Sequence, residues 1–248
     1  MPRRGTVRRM ATASQAADGY DMKILGISGS LRGGSYNRSL LRAALAEVPD
    51  GVEVMAFEGL GALPYFDEDL ETAGVPAVVH FFRRAIAEAD ALLVVTPEYN
   101  GSTSGVLKNA LDWASRGPDR VLAGKPVAVM GTSTGRGGAQ GGIDAVVRIL
   151  RRTRSEVLDH TVAVPLAAEA FDGNRALAEP GVSAEVRGLV NDLVARARTE
   201  VSLAARGRRL DLTSSCRPEA GPPPGPDGRL RQPGRRFVAR QPCPAPPG

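Results

Sequence analysis

The sequence predicts an α/β fold, a doubly wound five-stranded parallel sheet with helices on both faces. Three observations carry that expectation. Between Met22 and about Ala204 short apolar runs alternate with longer amphipathic ones, the pattern of βα units laid on one sheet. The short runs are rich in β-branched residues and bounded by turn formers, as strands buried on both faces require. Polar, glycine-rich segments follow the first, third and fourth runs, and in such a sheet ligands sit beyond the carboxyl ends of the strands.

The strands, in order, are "KILGIS" (23–28), "VEVMAF" (52–57), "ALLVVT" (91–96), "PVAVMGT" (126–132) and "HTVAVP" (160–165). Helices are expected over 37–47, 76–89, 105–115, 140–152 and about 184–203. In the last, Val186, Leu189, Val190, Leu193, Val194, Ala197 and Val201 recur at three- and four-residue spacing, with Ser183 placed to cap the first turn; that stripe suits a helix closing over the sheet. Residues 58–75 read as a long, partly acidic loop, and no internal repeat is present.

The flanks differ in kind. Residues 1–21 carry four Arg against two Asp, and residues 205–248 carry nine Arg against three acids together with ten Pro and six Gly. The net charge of +5 therefore belongs to the ends, and the middle is acidic, at −3; a basic face for nucleic acid is not expected. A disordered leader (1–21) and a disordered tail (205–248) are predicted, since such compositions bury too little apolar surface to offset chain entropy. Both cysteines, Cys216 and Cys243, fall in the tail, so neither a disulfide framework nor a metal site is indicated. The longest apolar run, Ala91 to Val95, is far short of the roughly 20 residues of a membrane span. A soluble, cytoplasmic protein without nucleic-acid or membrane partners is expected.

Three loops carry the chemistry. After the first strand, "SGSLRGGSYN" (28–37) combines hydroxyls at Ser28, Ser30 and Ser35, the cation of Arg32, a backbone freed at Gly33 and Gly34, and a helix start. These are the needs of a phosphate group: N–H and O–H donors, a fixed positive charge and the positive end of a helix dipole. The loop lacks the lysine of GxxxxGK[ST] and the spacing of GxGxxG, which points to a terminal monophosphate, as on a mononucleotide. After the third strand, "PEYNG" stiffens the exit at Pro97, offers the aromatic face of Tyr99 and relaxes the backbone at Gly101. After the fourth, Gly131-Thr132-Ser133-Thr134-Gly135 matches the GxSxG of a hydrolase elbow. That reading needs an acid and then a histidine, Asp144 and His160 being available; His160, beside Asp159, reads better as structural.

Together "GSLRGGSYN", "TPEYNGSTSGVLKNALDW" and "GKPVAVMGTSTG" resemble the NADPH-dependent FMN reductase family of flavodoxin-like proteins, whose members include quinone, azo and chromate reductases. The similarity spans Met22 to about Pro165. It implies strand order 2-1-3-4-5 and FMN as cofactor. On this resemblance Ser30, Leu31, Arg32, Gly33, Gly34, Ser35, Tyr36 and Asn37 hold the FMN phosphate. Pro97, Glu98, Tyr99, Asn100 and Gly101 run along the isoalloxazine ring, and Ser133 meets the flavin from the third loop. Lys108, Asn109, Asp112 and Trp113 lie on the helix that in relatives helps form a dimer, so a homodimer or homotetramer is expected. Ser104 stands where relatives commonly have Pro, and its hydroxyl can cap the helix instead.

The implied activity takes electrons from NADPH or NADH and passes them to quinones or other small electrophiles, azo compounds, chromate and free flavin among them. The chemistry belongs to the cofactor, so no catalytic side chain and no metal are called for. Two other classes stand beside it: a flavodoxin-type FMN electron carrier without NAD(P)H turnover, and a serine hydrolase using Ser133.

Overall fold

The structure, a computed structural model, describes residues 22–214, with side-chain surroundings to residue 203. The predicted leader and the tail from 215 onward lie outside the described residues. Five strands, β1 (Met22–Ser28), β2 (Val52–Phe57), β3 (Ala91–Thr96), β4 (Pro126–Thr132) and β5 (Glu156–Val164), form one sheet of order β2-β1-β3-β4-β5. All four pairings are parallel. The helices are α1 (Tyr36–Ala46), α2 (Glu68–Ala73), α3 (Ala77–Glu88), α4 (Gly105–Ser115), α5 (Gln140–Arg152), α6 (Ala167–Ala170) and α7 (Pro180–Ser214).

The pleat divides the core. Leu25 and Ile27 of β1, Leu92 and Val94 of β3, and Val127 and Val129 of β4 face α3, α4 and α5, around Phe82, Ile86, Leu107, Trp113 and Ile143. Their alternates Ile24, Leu93, Val95, Ala128 and Met130 face α1 and α7, against Leu40, Leu41, Val186, Leu189 and Leu193. A strand between two helix layers tolerates polar side chains only where they are hydrogen-bonded: every residue of β3 and β4 is buried, and the threonine that ends each, Thr96 and Thr132, donates to a backbone carbonyl. The expected α7 stripe packs from Val186 to Ala197, while its last member, Val201, is exposed.

Three expectations change. β5 begins at Glu156 instead of 160, and its register against β4 slips between Val127 and Val129. It is an edge strand, so Glu156, Asp159 and His160 stay exposed and hide its start from an apolar pattern. The supposed loop 58–75 holds a 3₁₀ turn at Leu60–Ala62 and α2. Asp67 caps α2 by accepting from the Asp69 amide at 2.8 Å, and Glu68, Asp69 and Glu71 lie in its first turn, where the helix dipole favours negative charge. Finally, α7 runs to Ser214, past the expected end near 203 and ten residues into the stretch expected to be disordered.

Candidate functional site

The three loops come together at the carboxyl ends of β1, β3 and β4, because those strands are adjacent. Each is tied to the next. Gly29 donates its amide to the Val95 carbonyl at 2.8 Å, which fixes the start of the first loop to the end of β3. The Ser104 hydroxyl donates to the Gly29 carbonyl at 2.6 Å and accepts from the Leu107 amide at 3.3 Å, capping α4 as expected while also holding the first loop.

Asn37 does something other than line the loop. Its side-chain nitrogen donates to the Thr132 carbonyl at 2.9 Å and its oxygen accepts from the Thr132 amide at 3.1 Å. The nitrogen and the oxygen of this buried amide are both engaged, so Asn37 is a strut between the start of α1 and the end of β4. Ser35 is buried and caps α1, accepting from the Asn37 and Arg38 amides at 3.1 and 3.4 Å.

The first loop thus has a fixed end and an open rim. Ser30 is 7% exposed, while Leu31, Arg32, Gly33 and Gly34 are exposed. Among the described residues, no backbone carbonyl accepts from the amides of Leu31, Arg32, Gly33 or Gly34, and the Ser35 amide turns back to the Arg32 carbonyl at 3.1 Å. A run of uncommitted N–H groups feeding a helix N-terminus, beside Arg32 and without an acid among its residues, fits a phosphate group.

The second loop is a tight hairpin. Tyr99 and Ser102 exchange backbone hydrogen bonds at 2.8 and 3.1 Å, and Asn100 and Gly101 between them have φ of +53° and +74°. Left-handed backbone at both central positions is the turn for which Asn-Gly is preferred, so "YNG" is turn chemistry at the tip of the loop. It leaves Tyr99 projecting, 55% exposed. Glu98 accepts from the Gly141 amide at 2.9 Å, placing a carboxylate on the first turn of α5; its role is to dock the second loop on the third.

That docking explains two glycines at the start of α5. Gly141 and Gly142 are helical. A Cβ at Gly142 would lie 2.5 Å from the Pro97 carbonyl oxygen, and one at Gly141 would lie 3.0 Å from both Glu98 Oε1 and the Gly101 carbonyl oxygen. The pair lets α5 touch the second loop, a use no local pattern announces.

The hydrolase arrangement does not assemble. Ser133 is half-buried and its hydroxyl donates to the Gly135 carbonyl at 3.4 Å. His160 Nδ1 pairs with Asp192 on α7 at 3.0 Å, and Asp144 accepts from the Gln140 side chain at 2.8 Å. On α4, Asn109 and Trp113 turn inward: both donate to the Pro64 carbonyl, at 2.8 and 2.9 Å, and Asn109 accepts from the Phe66 amide at 2.7 Å. Only Lys108 and Asp112 of the four helix residues form a surface pair, at 2.7 Å.

A cavity of about 420 Å³ lies to one side of the cluster, between β1, α1 and the segment after β2, lined by Ser28, Ser30, Leu31, Arg38, Arg42 and Glu58. It borders the first loop but neither of the others. The Ser28 hydroxyl beside it is buried without a hydrogen-bond partner, and Arg38 is paired with Glu58 at 2.8 Å. Among the described residues no His, Cys, Asp and Glu cluster could hold a metal ion, and no helix is long and apolar enough to cross a membrane.

A five-stranded parallel sheet of this order, with a glycine-rich loop that opens a helix and two facing loops at its switch point, defines a flavodoxin-like protein. Residues 22–169 match the family described as NADPH-dependent FMN reductase, and the chain belongs to that family. It is 51% identical over 118 residues to an NAD(P)H-dependent FMN reductase of Pseudomonas aeruginosa, covering 48% of this chain and 63% of that one. Against a quinone reductase of Escherichia coli K12 it is 42% identical over 115 residues, covering 46% and 61%. The chain thus spans about three fifths of the length of these relatives. The solved structure of FerB, a flavoenzyme NAD(P)H:(acceptor) oxidoreductase from Paracoccus denitrificans, superposes with a TM-score of 0.66 at 29% identity, covering 72% of this chain and 98% of that one.

Proposed function

We propose that residues 22–204 form an FMN-binding oxidoreductase domain that takes electrons from NADPH or NADH and delivers them to quinones or similar small electrophiles. The observation that carries this reading is the open rim of amides at Leu31 to Gly34, set at the start of α1 and held beside the Tyr99–Ser102 turn. FMN supplies the redox chemistry when bound, accepting a hydride from the nicotinamide and releasing electrons to the second substrate. Everything else is asked of the protein. The amides of residues 31–34, the Ser30 hydroxyl and Arg32 take the phosphate, with Ser35 and Asn37 holding the loop's shape. Pro97 to Gly101 form one wall for the planar ring, Tyr99 offers an aromatic face, and Ser133 supplies a hydroxyl on the opposite loop. Leaving one ring face open lets donor and acceptor use the same site in turn.

The family match and the names of the relatives support this activity; azo compounds, chromate and free flavin remain within the same acceptor chemistry. A cytoplasmic homodimer or homotetramer is part of the proposal, with the exposed Lys108 and Asp112 face of α4 and the adjacent Tyr65, 87% exposed, as its contact. The deciding experiment is anaerobic. Purified protein should be yellow or become so with FMN, bleach on adding NADPH, and recover colour with a quinone. A protein that binds FMN but does not bleach is an electron carrier, and one that binds no FMN overturns the reading altogether.

A further inference from the structure

Residues 166–180, between β5 and α7, match no motif in the sequence, yet they make the most elaborate contact with the first loop. Phe171 and Leu177 form an antiparallel bridge, closed by Asp172, whose amide donates to the Ala176 carbonyl at 2.9 Å. The Asp172 carboxylate accepts from the Asn174 and Ala176 amides at 2.8 and 2.9 Å. At the tip of this hairpin Arg175 is held with φ of +64°, a left-handed conformation that is strained for a non-glycine residue. The strained backbone carries a long cationic side chain where glycine would sit without strain.

The side chain reaches back 141 residues along the sequence. Arg175 Nη1 donates to the Gly34 carbonyl at 2.9 Å, and its guanidinium carbon lies 4.4 Å from the centre of the Tyr36 ring. The Phe171 ring centre lies 5.5 Å from that of Tyr36. Tyr36, the first residue of α1, is thus engaged by both members of one hairpin, and the last carbonyl of the glycine pair is tied down between Gly33 and the Ser35 cap. Among the described residues no carboxylate is paired with this guanidinium, so its positive charge faces the loop.

We propose that Arg175 is a positioning residue for the anion loop: it holds Gly34 so that the amides of residues 31–34 stay aimed at one point, and adds a second positive charge to that of Arg32. The inference rests on the FMN reading above and deepens it by assigning the choice of phosphorylated over unphosphorylated flavin to a segment outside the three family motifs. A residue acting through the phosphate loop should matter only for ligands that carry a phosphate.

The test compares FMN with riboflavin, titrated into the apo full-length protein by quenching of flavin fluorescence, for wild type, R175G and R175K. Glycine suits the left-handed backbone, so R175G removes the side chain without straining the hairpin. FMN affinity of R175G is expected to fall about ten-fold, the scale of one charge-assisted hydrogen bond, with riboflavin affinity unchanged. R175K keeps the charge and one donor and should recover part of the loss. Equal losses for FMN and riboflavin, or no loss for either, overturn the inference. Wild type that binds no FMN overturns the functional reading and this inference with it, whereas wild type that binds FMN as tightly as R175G overturns the inference alone.

Discussion

Replacing Gly142 by alanine sets two well-separated effects against each other. In the interior of a helix alanine is favoured over glycine by about 1 kcal/mol, and Gly142 lies in the first turn of α5. Against that gain, the added Cβ would stand 2.5 Å from the Pro97 carbonyl oxygen, 3.2 Å from its carbonyl carbon and 3.3 Å from the Glu98 Cα. All three neighbours are backbone, so relief requires α5 or the 97–101 loop to move; overpacking of this kind costs about 1–3 kcal/mol. The interior gain is only partly realised in a first turn, so the clash wins, and G142A should be destabilised by up to about 2 kcal/mol, a fall of up to roughly 8 °C in Tm for a domain of this size. Gly105 provides the control. It opens α4, and a Cβ there meets nothing within 4 Å, so G105A should match or slightly exceed wild type. Urea unfolding measures both, and FMN titration of the same proteins shows whether the loop has moved: G142A should bind FMN at least several-fold more weakly and G105A normally. A G142A protein as stable as G105A that binds FMN like wild type would refute the claim that α5 sets the position of the second loop.

Other substitutions test single links. N37A should cost about 2–4 kcal/mol in urea unfolding, because it strands the buried Thr132 amide and carbonyl together. R32A should weaken FMN binding by about 1–2 kcal/mol, discounted for the exposure of the side chain, and leave the melting temperature unchanged. Lys125 donates to the Ala87 and Ala89 carbonyls, and burial pushes its pKa below the ordinary lysine value, partly countered by Asp90. Its protonated form is therefore disfavoured by folding, a penalty fully present below the folded pKa and relieved as pH rises toward the unfolded value. The stability of wild type relative to K125M should accordingly increase with pH on the alkaline side, read from urea midpoints; a pH-independent difference would contradict the burial argument.

Most of the fold was legible because its interior strands have no choice. A strand covered on both faces must be almost wholly apolar, and "ALLVVT" and "PVAVMGT" satisfy that up to their last residue, a threonine in each, without reference to any neighbour. Where a segment faces water the signal thins, which is why the first half of β5 escaped notice. α2 had a readable start, Asp67 followed by three acids, but six residues with no buried side chain carry no apolar period to draw attention to them. In the site, Ser35, expected on the phosphate, caps α1, whereas Ser104 was legible as a cap since capping is local. Asn37 was not: a polar residue beside a phosphate loop looks like a ligand until the strand packed against it, 95 residues on, is seen to take both ends of its amide. Glu98 hid its role similarly, accepting from Gly141 across 43 residues.

The sequence by itself determined the alternation of strand and helix, the polar, glycine-containing loops after β1, β3 and β4 and the family that unites them, because each is written in short-range patterns of side-chain size, charge and backbone freedom. Only the tertiary structure decided which side chains stay free for a ligand and which are committed to the frame. It drew Arg175 onto the first loop, turned Asn109 and Trp113 inward, and made Gly142 a point of contact. The reason is physical: hydrogen-bond commitment and close approach are properties of pairs, and their partners in these cases lie between 43 and 141 residues away in the chain.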